Sequence, residues 1–128
     1  MKKDIKEIAR LDGRYAPQAL KFVYEGLGYT INRLADSDFT AKHISGTELC
    51  DGLRQKALER WGRLAAMVLN HWGIRTTRDF GEIVYLMIEH KWMSAQPHDS
   101  IDDFNDIYDF RKAFEDEFEF EDFSETAQ

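Results

Sequence analysis

Cysteine occurs once, at position 50, and proline only twice, at 17 and 97, in a chain of 128 residues. A lone cysteine closes no internal disulfide, and such usage fits a reducing compartment. Long apolar runs are missing too. The longest spans Ile83 to Ile88, far short of the roughly 20 residues that cross a bilayer. The N-terminal residues Lys2, Lys3, Asp4, Lys6 and Glu7 have no apolar core behind them, which reads as a chain without a signal peptide. The expected setting is the cytoplasm, with no membrane partner.

Patterns that carry chemistry are equally scarce. The four histidines, His43, His71, His90 and His98, include no pair at i, i+3 or i+4, and there is no Cys-x-x-Cys. Glu89 is adjacent to His90, so the two diverge on a helix and do not form the Glu-x-x-His of a di-iron site. No metal and no cofactor is expected. Gly26-Leu27-Gly28 sits in a helical pattern, with neither a preceding strand nor a third glycine, so it is not a dinucleotide loop. A Walker lysine motif and a Gly-x-Ser-x-Gly elbow are both absent. Cys50 falls past the first helical turn, where the dipole effect on a thiol fades. The reading leans away from an enzyme.

What the chain does have is helical periodicity. Hydrophobic residues make up 43% and charged residues 32%, a globular composition that fits one domain at this length. Ile5, Ile8 and Leu11 suggest a first helix ended by Gly13. Pro17 suits a first helical turn, and Leu20, Val23, Leu27, Ile31 and Leu34 follow on one face. Gly26 and Gly28 interrupt that stripe, for a close approach or a kink. Ser45 and Glu48 form a capping box flanked by the staple residues Ile44 and Leu49, leading into Leu53 and Ala57. Gly62 marks a break, and a helix over 63–72 is expected to bury Leu64, Met67, Val68 and Trp72. Thr76 or Thr77 caps the next helix, with Asp79 in its first turn. There Phe80, Ile83, Val84, Met87 and Ile88 fit the helical rule without a miss. Asp99 or Ser100 caps a short helix through Phe104. After that, Asp106 to Phe110 alternates polar and apolar, so it reads either as a strand paired with residues 91–95 or as continued helix.

Charge is divided unevenly. Residues 1–98 carry a net +3 and residues 99–128 a net −10. The last stretch, 115–128, reads as a flexible acidic tail studded with Phe118, Phe120 and Phe123. Such rings dock on a partner groove or on the chain's own body, steered by carboxylates toward a basic surface. A second candidate site gathers Lys42, His43, Glu48 and Arg54 about the capped helix start, where anions bind readily, with Tyr29 and Arg33 approaching from the preceding helix. A third is the helix-turn-helix outline of 64–89. Its open face of Arg78, Asp79, Glu82 and Glu89 is a poor match to phosphate.

Four strings together resemble a family of small uncharacterised proteins found mainly in planctomycetes and verrucomicrobia. They are Phe22-Val23-Tyr24-Glu25-Gly26-Leu27-Gly28-Tyr29-Thr30, His43-Ile44-Ser45-Gly46-Thr47-Glu48-Leu49, Trp72-Gly73-Ile74 with Thr77 to Ile83, and Tyr108-Asp109-Phe110 running to Ala113-Phe114. The resemblance covers roughly residues 15–114. It implies one domain ending near Phe114 and hands over no catalytic residue. The expectation is therefore a mostly α domain over 1–114, a compact bundle of about five helices, with or without a small two-stranded β-hairpin near 91–110. Its expected role is a non-enzymatic protein-interaction or regulatory module with a protein partner of basic surface. Nucleic-acid binding through 64–89 is the alternative.

Overall fold

Helix α2, Pro17–Ser37, is the longest helix among the described residues. The computed structural model describes residues 2–37 and 44–116, the side chains of 35–37, 115 and 116 excepted. Four more α-helices complete the set: α1 Ile5–Asp12, α3 Gly46–Trp61, α4 Ala65–His71 and α5 Thr77–Glu89. Two 3-10 turns, Gly62–Leu64 and Ile101–Phe104, and a π-helical segment, Arg111–Asp116, join them. Helices α1, α3 and α5 all pack against α2. No helix among the described residues is long and apolar enough to cross a membrane.

The expected stripe on α2 is buried only in part, since Leu27 and Leu34 are half-buried and Ile31 is exposed. Leu20 and Val23 are buried as foreseen, but so are Ala19, Phe22, Gly26 and Thr30 on the face toward α3. A side chain added at Gly26 would run into the buried Leu53 of α3, and one added at Gly52 would run into Thr30 of α2. Each helix thus takes a knob from the other where it carries no side chain. The Thr30 hydroxyl donates to the Gly26 carbonyl at 2.7 Å, so its burial leaves no polar atom unpaired. Gly28, by contrast, faces open space.

The starts of the helices are held locally. Asp4 caps α1 through the Glu7 N–H at 2.8 Å. At α3 the Glu48 N–H donates to Ser45 Oγ at 3.1 Å, and the Ser45 N–H donates back to Glu48 at 2.9 Å. At α5 one carboxylate oxygen of Asp79 accepts the Arg75 and Thr76 N–H groups at 2.8 and 3.1 Å, and the other accepts the Tyr15 hydroxyl at 2.6 Å. Gly73, at φ 98°, makes the turn before α5, and the Arg14 carbonyl lies where a side chain would stand.

Two expectations are corrected. Leu64 and Met67 are exposed, while Ala65, Ala66 and Leu69 are buried. The cause is the turn at Gly62, whose φ of 56° and following 3-10 geometry rotate the phase of α4 relative to the sequence stripe. The hairpin is also absent: no strand occurs among the described residues. Lys91 and Asp106 both adopt positive φ, at 71° and 49°, which breaks an extended run at each end. The Ile107 N–H donates to the Thr77 hydroxyl at 3.1 Å rather than to a neighbouring strand.

The C-terminal segments complete the core. Phe104, Phe110, Ala113 and Phe114 are buried. Tyr108, Phe110, Phe114 and Phe80 form one aromatic cluster, with Phe110 and Phe114 edge-on at 5.1 Å. Phe22, Trp61 and Trp72 form another, with centroids 5.2–6.1 Å apart. The body therefore runs at least to Phe114; of the expected tail, 115–128, the first two residues belong to the π-helical segment and the rest lie outside the described residues.

The two glycines of α2 give a paired expectation. Gly28→Ala should raise stability by up to ~1 kcal/mol, the ordinary helix-propensity gain. Gly26→Ala should lower it by about 1–3 kcal/mol through overpacking against Leu53. Urea midpoints of the two variants test this, and equal shifts would refute the notch.

Candidate functional site

The α2–α3 contact sets the spacing of the helix ends, and a cleft opens beside them. Leu27 and Ile31 of α2 form one wall. Ile44, Ser45, Gly46 and Leu49 at the start of α3 form the next. Val84, Tyr85 and Ile88 of α5 close the far side, and the segment from Met93 to Phe104 covers the end. The cleft holds about 130 Å³. That is well under the roughly 300–1,000 Å³ typical of small-molecule and cofactor sites, and suits one or two apolar side chains. Ile31 is 45% exposed at its edge.

The lip is polar and acidic. Ser45, Ser94, Asp99, Ser100 and Asp103 border the apolar walls. Asp99 accepts the Gln96 N–H at 2.8 Å, and Asp103 accepts the Ser100 N–H at 3.1 Å, so the loop holds both carboxylates in place. The Tyr85 phenol, which lines the cleft, is pushed up first by burial and then by the negative charges of Asp99 and Asp103. Among the described residues no buried side-chain nitrogen or oxygen lacks a hydrogen-bond partner. The cleft therefore offers apolar contact and an acidic field rather than unsatisfied donors and acceptors.

Of the cluster expected about the α3 start, the described members Tyr29, Arg33, Glu48 and Arg54 make separate contacts. Lys42 and His43 lie outside the described residues, as do Phe118, Phe120 and Phe123. Glu48 is engaged in the cap described above. Tyr29 and Arg33 face the exposed side of α3 instead. The Tyr29 hydroxyl donates to Glu59 at 2.6 Å, a bond that pushes its phenol up. Arg33 lies 3.8 Å from Asp51 and 5.7 Å from the Tyr29 ring. Half-buried Arg54 sits near Tyr108, where its charge opposes the upward push that burial gives that phenol. None of Tyr29, Arg33, Glu48 or Arg54 lines the cleft.

Other candidates resolve in structural terms. Cys50 is fully buried and its thiol is pushed up to about 12, by burial and then by Asp51, the opposite of an activated nucleophile. Its carbonyl accepts the Tyr108 hydroxyl at 2.7 Å. No group of three or more potential metal ligands occurs among the described residues. In the 64–89 segment, α5 buries Phe80, Gly81, Ile83, Val84 and Met87. Its Arg78 is tied to Glu82 and Asp102 at 3.0 and 2.9 Å and to Asn105 at 3.0 Å.

Nothing in the sequence marks the cleft, although Leu27 and Ile31 share one face of a helical stripe and Ile44 and Leu49 stand at the staple. No local spacing ties those four to Asp99 and Asp103. No family model, curated protein or solved structure matches the chain, so the geometry alone carries the functional argument.

An ion ladder crosses the outer face of α5. Glu82 accepts from Arg14 and from Arg78, each at 3.0 Å, and the two guanidinium groups hold its carboxyl below the ordinary value of 4.5. A depressed carboxyl contributes stability that is present above its unfolded pKa and lost as pH falls through the folded one. Glu82→Gln should cost up to about 1 kcal/mol at pH 7, and the two proteins should converge in acid, below the folded value. Urea unfolding across that range measures it; a gap independent of pH would show that the pairs contribute nothing.

Proposed function

We propose that the protein is a non-enzymatic interaction module that seats an apolar side chain of a basic peptide segment in the α2–α3–α5 cleft. The observation that supports this is the pairing of apolar walls with an acidic lip. Leu27, Ile31, Leu49, Val84, Ile88 and Phe104 supply the contact area, and Asp99 and Asp103 supply a fixed negative charge beside it. Lysine or arginine flanking an apolar anchor complements both features. Burial of the anchor stabilises the complex, while the charge raises the association rate and selects against acidic partners. The volume supports an anchor of this size and not a drug-sized ligand.

Selection of peptides from a random library on the full chain tests this reading. The enriched peptides should carry one large apolar residue with Lys or Arg within a few positions. Their affinity should fall as salt rises. Ile31→Glu, at an exposed position that folding tolerates, should weaken them about tenfold or more, which corresponds to roughly 1.4 kcal/mol. Asp103→Asn keeps an acceptor for the Ser100 N–H and should lower the preference for basic flanks. Equal enrichment on the Ile31→Glu protein would sink the proposal.

A further inference from the structure

A second apolar surface lies on different elements from the cleft. Leu64 is 55% exposed and Met67 66% exposed. They stand three residues apart where the 3-10 turn enters α4, a spacing that makes side chains neighbours at roughly 5–6 Å. Arg60 and Arg63, both exposed, precede them. The guanidinium of Arg60 lies 5.1 Å from the Trp61 ring, and Arg63 directly precedes Leu64 in the chain. Scattered exposed apolar residues are ordinary; an adjacent pair beside two arginines raises the question of what covers it.

The path of the chain supplies an occupant. The π-helical segment Arg111–Asp116 packs against both Gly62–Leu64 and Ala65–His71, and buried Ala113 and Phe114 fix it there. The chain continues from that point for 12 residues, from Glu117 to Gln128. They include Phe118, Phe120 and Phe123, alternating with Glu117, Glu119, Glu121, Asp122 and Glu125. Apolar rings match Leu64 and Met67, and carboxylates match Arg60. We infer that the occupant of the Leu64–Met67 surface is the chain's own 117–128 segment, docked through its phenylalanines.

Proximity makes this arrangement economical. A segment tethered by a few residues meets its site at an effective concentration on the order of mM, so weak contacts suffice to fill it. The same weakness lets a stronger partner displace the segment. The phenylalanines would then become available to that partner, and Leu64 and Met67 would be uncovered with them. The inference does not depend on the cleft, since the two surfaces share no residue.

The full chain permits a direct test. Thr126→Cys introduces a thiol for a nitroxide spin label, and fully buried Cys50 stays unlabelled in the folded protein. Methyl-labelled methionine then reports two places at once, Met67 on the proposed surface and Met93 in the cleft. Docking predicts that the Met67 methyl signal is quenched several-fold by the label at low salt while Met93 keeps its intensity. Replacing Phe118, Phe120 and Phe123 together by Ala should restore the Met67 signal, and raised salt should restore part of it. Unchanged far-UV circular dichroism of the triple-alanine protein would show that its fold is retained. Three results would overturn the inference: an unquenched Met67, quenching that persists undiminished in the triple-alanine protein and so reflects tethering alone, or quenching centred on Met93.

Discussion

The close crossing of α2 and α3 is the constraint on which the rest of the molecule depends. Gly26 admits Leu53, and Gly52 admits Thr30. Because these two notches lie on opposite partners, they lock translation along the helices as well as separation between them. A slip of one turn would drive Thr30 or Leu53 into a neighbour that has a side chain. With that register set, Phe22 reaches Trp61 and Trp72 at one end of the contact. At the other end Leu27 and Ile31 come alongside the capped start of α3, and the cleft is the space left between them.

The start of α5 is the second organising point, and it works with hydrogen bonds rather than shape. The buried Thr77 hydroxyl donates to the Phe104 carbonyl at 2.6 Å and accepts the Ile107 N–H at 3.1 Å. One side chain thereby clamps the two sides of the turn at Asn105 and Asp106, at the C-terminal end of the segment that closes the cleft. Beside it Gly81 lets the Phe104 side chain lie against the backbone of α5. The acidic lip at Asp99 and Asp103 is positioned by that anchorage. Tertiary contacts at the base of a helix thus decide where charge stands at a surface several residues away.

The division between what the sequence disclosed and what it concealed follows interaction range. The α3 cap at Ser45 and Glu48 and the stripe of α5 were readable because each depends on residues within two turns. The α2 stripe was readable on one face only, since the second face is set by α3 and includes Gly26 and Thr30, which no apolar pattern marks. Gly52 gave no signal at all; its role exists only opposite Thr30. The alternation at Asp106–Phe110 imitated a strand because Phe110 packs inward and the Tyr108 hydroxyl reaches the Cys50 carbonyl, 58 positions away. The phase of α4 was misread because one glycine conformation at position 62 reset it. As for the site, the walls from α2 and α3 were foreseen as faces but not as a meeting place, and the lip from 99–103 joins them only in three dimensions.

The N-terminal helix packs against α2, the next helix in the chain, while the segments on either side of it are bound to residues far along the sequence. Trp92 donates its indole N–H to the Lys3 carbonyl at 2.8 Å across 89 positions, Arg14 reaches Glu82 across 68, and Tyr15 reaches Asp79 across 64. During synthesis at roughly 5–20 residues per second, the segments flanking α1 wait several seconds before α5 and Trp92 exist to receive them. The eight residues of α1 are too few to hold a helix alone in water. The segments flanking α1 are therefore among the last to acquire their native partners, although α2 follows directly to receive the helix itself.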